Sequence, residues 1–187
     1  MLVDMAPFDP SEDNGQRLDW HVLRDGGITL YKSKSYLAGD MEWLRSEGYR
    51  IVSFDCREWT SSEQMHQRLS EELSFPGYYG RNLDALNDCM LGDLNVPDAG
   101  GLALLLRRFD AYSNGPGAKP YPSGRNEAEI ILDILASASR YYLLTGGRLI
   151  TLIQSDDPHI HFEDLGGVSA HWNRRERLNK NRELPIH

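Results

Sequence analysis

Gly101 to Leu106 reads GLALLL, a continuous apolar run short enough to be a central parallel strand. Such a strand is apolar on both sides, so it needs a covering layer on each face, and parallel neighbours must be joined by crossovers, usually helical. The rest of the chain supplies the parts. Tyr49 to Phe54 reads as a buried strand, Ser61 to Leu73 as a helix capped by Thr60 or Ser61, and Arg148 to Ile153 as another strand. Asn126 and Glu129 have capping-box spacing ahead of a helix with Ile130, Ile131, Ile134, Leu135 and Ala138 on one face. Gly146-Gly147 stops that helix. The alternation predicts an α/β fold, a small parallel β-sheet packed by helices.

Ahead of this pattern, residues 1–17 are polar, acidic and broken by two prolines, as expected of a flexible tail. Leu18 to Arg24 and Ile28 to Lys32 flank Asp25-Gly26-Gly27 with alternating character, which predicts a hairpin. Tyr36, Leu37, Met41, Trp43 and Leu44 predict a helix over Ser35 to Glu47, ended by Gly48. Tyr112 to Arg125 is rich in Gly and Pro and is expected to be the longest structureless stretch, a surface connection or a functional loop.

The stretch Phe75 to Leu94, FPGYYGRNLDALNDCMLGDL, combines turn chemistry with a helix start. Pro76 and Gly77 break what precedes, Tyr78 and Tyr79 follow, and Gly80 frees the backbone before Asn82, a residue type favoured at helix N-caps. At about 100° per residue, Leu83, Ala85, Leu86, Cys89 and Met90 form one apolar stripe. Asp84 and Asp88 fall on the other side as a like-charged i,i+4 pair, which costs an isolated helix about 0.2 to 0.5 kcal/mol. Asp84 also complements the helix dipole, and tyrosines beside turns often pack their rings. Taken together, the string reads as a binding surface.

This string, PGYYGRNLDALNDC, resembles the signature of the barstar family. Upstream, RIVSFDCREWTSSEQMHQRLSEELSFP is similar to that family's first strand and helix; LALLLRRF resembles its second strand, and Ala128 to Leu144 followed by GGRLITLIQ resembles its last helix and strand. The likeness implies a barstar-like domain over 50–155, with 18–49 an added hairpin and helix and 156–187 a C-terminal extension. It further implies an inhibitor, a candidate immunity protein, that blocks the active site of a cationic toxin, a ribonuclease or a toxin C-terminal domain, with an acidic helix. The partner-binding positions would be Tyr78, Tyr79, Gly80, Asn82, Leu83, Asp84, Ala85, Asn87 and Asp88, with tyrosine as the rigid anchor and the two aspartates mimicking phosphates. Asn87 stands where the best-known members carry tryptophan, and no carboxylate within Ile130 to Leu144 matches their late-helix glutamate.

Composition agrees with binding a cationic protein. Lys and Arg number 20 against 28 Asp and Glu, a net charge of -8, which makes nucleic acid a poor partner. Residues 173–187 are the exception, basic and helical-looking over Val168 to Asn181, either a solvated face or a strap on the acidic body. Two cysteines, Cys56 and Cys89, provide neither a disulfide framework nor a CxxC pair, so a reduced, cytoplasmic setting is expected. No signal-like start or membrane-length apolar run is visible. No nucleophile motif, phosphate loop or dinucleotide fingerprint is legible, so no enzyme activity and no cofactor are expected. Alternatives are a barstar-fold binding or regulatory protein with a non-nuclease partner, and a metal-dependent enzyme using Asp156, Asp157, His159, His161, Glu163 and Asp164.

Overall fold

Five strands run parallel in the spatial order Tyr49–Asp55, Gly101–Arg107, Leu149–Gln154, Ile28–Tyr31, His171–Trp172, so every connection is a crossover and helices cover both faces. The computed structural model describes residues 7–182. The elements are α1 (Leu18–Arg24), β1 (Ile28–Tyr31), α2 (Lys34–Ser46), β2 (Tyr49–Asp55), α3 (Ser62–Leu73), α4 (Leu83–Gly92), β3 (Gly101–Arg107), α5 (Phe109–Ser113), α6 (Glu127–Leu144), β4 (Leu149–Gln154) and β5 (His171–Trp172). The α/β class read from the sequence is the observed one.

The apolar run in β3 is buried on both faces, as its composition requires. Leu102, Leu104 and Leu106 join the larger core with Met65 and Leu69 of α3, Leu86, Cys89 and Met90 of α4, Phe109 of α5 and Ile131 and Leu135 of α6. Ala103 and Leu105 join the second core with Val22 and Leu23 of α1 and Leu37 and Leu44 of α2. Local capping is as the sequence indicates: Ser61 caps α3, Asn82 caps α4, and Asn126 with Glu129 forms a complete capping box on α6.

The N-terminal segment differs from expectation. Leu18 to Arg24 is a helix, not the first strand of a hairpin, because Leu18 and Val22, one turn apart, both pack toward the second core. After the turn at Gly26 and Gly27, both at positive φ, the chain enters β1, which pairs in parallel with β4 from Ile28↔Thr151 to Tyr31↔Gln154. Gly27 permits this entry: a Cβ there would lie 2.0 Å from Ser139 Oγ on α6. The expected N-terminal addition therefore supplies an inner strand of the sheet. Residues 7–17 also have fixed neighbours, with the Phe8 ring edge-on to Trp20 at 5.0 Å and Arg148 over Phe8 at 4.9 Å, while residues 1–6 of the expected tail lie outside the described residues.

The basic stretch also differs from a helix. His171 and Trp172 add a short parallel strand to β1, and the residues that follow are turns laid along the body. Asn173 directs this course: its N–H donates to Leu30 O at 2.8 Å and its side-chain amide to Asp40 at 2.9 Å. Arg175 pairs with Asp40 at 2.5 Å. The Tyr112 to Arg125 stretch starts inside α5 and is pinched shut by a bridge between Pro120 and Asn126.

Candidate partner-binding site

The site begins where α3 stops. Ser74 takes a left-handed conformation at its C-cap, and the Phe75 N–H donates back to Ser70 O at 3.0 Å. The next turn closes with the Tyr79 N–H donating to Pro76 O at 2.9 Å. It separates the two tyrosines. Tyr78 is 77% exposed, its hydroxyl 3.1 Å from both oxygens of Asp93, and that bond raises its pKa.

Tyr79 is 9% exposed and belongs to the core. Its ring lies 4.9 Å from Phe75, and its hydroxyl lies 2.5 Å from the buried His66 Nδ1. Burial pushes the phenol well up and pulls the imidazole down, so both are neutral near pH 7. Tyr79 therefore holds the turn in place from behind. Of the two tyrosines expected at the binding surface, only Tyr78 is exposed, and Tyr79 is turned into the core.

Asn82 Oδ1 accepts the Ala85 N–H at 2.8 Å, and its amide donates to Gly80 O at 3.3 Å, so one side chain joins turn and helix. A Cβ on Gly80 would sit 3.2 Å from that amide. Leu83 and Ala85 are half-buried against the larger core, and Leu86, Cys89 and Met90 are buried. Asn87 is half-buried at the margin. Asp84 and Asp88 are exposed, and neither has an ion-pair partner among the described residues. Burial and the Asp93 carboxylate push the Cys89 thiol up to about 11, so it is no nucleophile at neutral pH.

Two features of this face lie outside the expected partner-binding positions, although Asp93 stands where the best-known barstar sequences carry a second tryptophan. Asp93 adds a third exposed carboxylate through Tyr78, and Arg81, exposed at φ 49°, puts one cation at its edge. Neither has a local signal, since each depends on how the turn folds back. Behind the face, buried Glu127 accepts from Ser62 at 2.6 Å and Tyr112 at 3.0 Å, which ties α6 to α3 and α5. The Asp156 to Asp164 residues do not converge: among the described residues, no group of three or more His, Cys, Asp or Glu is placed to hold a metal ion. Among those residues, too, no helix is long and apolar enough to cross a membrane.

Comparison with known proteins bears on the same region. The family model described as Barstar (barnase inhibitor) matches residues 40–154, from within α2 to the end of β4. A protein of Bacillus subtilis (strain 168), "Putative ribonuclease inhibitor YrdF", is 43% identical over 65 residues. That alignment covers 35% of this chain and spans 66% of the relative's length.

Proposed function

This chain belongs to the barstar family, and we propose that it inhibits a cationic ribonuclease by laying the first turns of α4 into that enzyme's active site. The observation that carries this reading is the pair Asp84 and Asp88, both exposed, one turn apart and without ion-pair partners among the described residues, on a helix whose preceding turn carries the exposed ring of Tyr78. A ribonuclease must be cationic where it holds phosphate. Two carboxylates on a rigid helix can occupy those phosphate positions and accept charge-assisted bonds from Arg and Lys.

Tyr78 supplies a rigid aromatic contact, while Asn82, Leu83, Ala85 and Asn87 shape the surface between it and the carboxylates. Tyr79 and Gly80 set the turn. The chain acts by binding, with no chemical step of its own. The toxin partner would be a secreted or cell-targeting ribonuclease, or a toxin C-terminal domain, and this protein would be the immunity factor that protects its producer in the cytoplasm.

The test is co-expression with the toxin encoded by the neighbouring gene, comparing wild type with the Asp84→Ala, Asp88→Ala double variant for complex formation and for protection. Loss of both in the double variant is the expected result. Equal binding by the two forms would place the partner elsewhere and end the phosphate-mimic reading.

A further inference from the structure

A cation borders the acidic face of α4. Arg81 lies between Gly80 and the N-cap Asn82, exposed, with φ 49°. A left-handed backbone suits Gly, Asn or Asp and strains a residue such as arginine. A positive charge just ahead of a helix is also set against the positive end of the helix dipole. Local compensation is absent: Asp84 is only three residues on, yet Arg81 has no ion-pair partner among the described residues. Strain held at such a position points to a role outside the free protein.

A second cation stands on the same flank. The 114–125 loop is fixed at the start of α6, where the Glu127 N–H donates to Lys119 O at 2.8 Å and the Tyr121 N–H to Arg125 O at 2.9 Å. It also borders the start of α4, since burial, Glu127 and the charge of Asp84 together raise the Tyr121 pKa. Lys119 is exposed and, like Arg81, has no ion-pair partner among the described residues. Both charges reach the buried His66, where they add to the lowering of its pKa by burial. The surface is thus two-signed, with Asp84, Asp88 and Asp93 on one side and Arg81 and Lys119 on the other.

With the first turns of α4 seated in a cationic active site, Arg81 is enclosed in the same interface, three residues before Asp84. A cation enclosed against a cationic cleft without a counter-charge costs affinity. We propose that Arg81, with Lys119 on its flank, engages a carboxylate at the rim of the partner ribonuclease's active site, an inference that rests on α4 being the binding element. Arginine fits this task, because its planar fork bonds a carboxylate through two parallel N–H groups. The same charge works as a repulsive element against cationic ribonucleases whose rim lacks the carboxylate.

The test titrates the full chain against the ribonuclease encoded by the neighbouring gene. Arg81→Asn removes the charge and keeps a residue tolerant of the left-handed backbone. It should bind about tenfold or more weakly, with thermal unfolding at or above that of wild type. Arg81→Glu should bind more weakly still, and Arg81→Lys should recover part of the loss. Among carboxylate-to-lysine changes at the rim of the enzyme's active site, one should restore binding to Arg81→Glu, a rescue that a merely structural role would not produce. Wild-type affinity in Arg81→Asn, or no rim change that rescues Arg81→Glu, would overturn the proposal. The Asp84→Ala, Asp88→Ala double variant separates this inference from the reading beneath it. Lost binding there with none lost in Arg81→Asn removes the arginine's role alone, whereas full binding by the double variant removes both.

Discussion

The Tyr79 hydroxyl lies 2.5 Å from His66 Nδ1, joining the turn that presents Tyr78 to the buried side of α3. Replacing Tyr79 with phenylalanine keeps the ring stack on Phe75 but leaves a buried imidazole nitrogen unpaired. Stability should fall by about 1–3 kcal/mol in denaturant titration. Folded Tyr79→Phe should still bind the partner, whereas Tyr78→Ala should bind more weakly with stability unchanged.

The same pair predicts a pH dependence. Burial lowers the His66 pKa, so between its folded value and the ordinary value of about 6.5 the unfolded chain binds more protons than the folded one. Stability contributed by the neutral ring is thus present above about pH 6.5 and declines as pH falls below it. Chemical denaturation across that window should show the slope, and His66→Gln should flatten it.

Asp88 should display a conflict between stability and binding. With Asp84 it forms a like-charged pair one turn apart, so Asp88→Ala should leave the free protein as stable or more stable by about 0.2–0.5 kcal/mol. Affinity for the cationic partner should nevertheless drop by about 2–5 kcal/mol, because a buried cation on the partner would lose its counter-charge. Thermal unfolding and a binding titration on the same sample separate the two effects.

Asp19 presents the opposite case. It is fully buried on α1, bonded to Arg17 at 3.0 and 2.9 Å, to Tyr49 at 2.8 Å and to Arg148 at 3.3 Å. Burial pushes its carboxyl up, but the bonds from Arg17 and Tyr49 outweigh burial and hold it below the ordinary range. Its contribution is therefore complete above about pH 4 and is lost as pH falls further. Asp19→Ala leaves the buried Tyr49 hydroxyl without its acceptor and Arg148 without this carboxylate, while Arg17 keeps Glu47 at 2.8 Å, and it should cost about 1–3 kcal/mol in urea unfolding.

Association with a cationic partner should slow as salt rises, since a net charge of -8 steers the encounter and is screened beyond about 8 Å at physiological ionic strength. Stopped-flow association rates at several salt concentrations check this. Dissociation rates should change little by comparison.

What the sequence discloses and what it hides follow from range. The caps at Ser61, Asn82 and Asn126 and the apolar stripe of α4 involve residues within one or two turns, and each is where its pattern places it. The exposure of Asp84 and Asp88 follows from the same spacing. Leu18 to Val22 alternates like a strand and also repeats like a helix, and only packing against the second core decides between them. That β1 pairs with β4, more than a hundred residues later, has no local sign, and neither has a strand as short as β5. The inward turn of Tyr79 depends on His66, which the sequence gives no reason to single out.

The inner position of β1 has a practical consequence for where this protein can be cut. A fragment trimmed to residues 40–154 would end at β4, whose six residues are all buried here, and would present them as a naked sheet edge. Such an edge, long and apolar, is a template for pairing with other chains. The segment defined by kinship thus leaves an inner strand uncovered, and expression of the shorter piece should yield aggregates instead of a folded minimal domain.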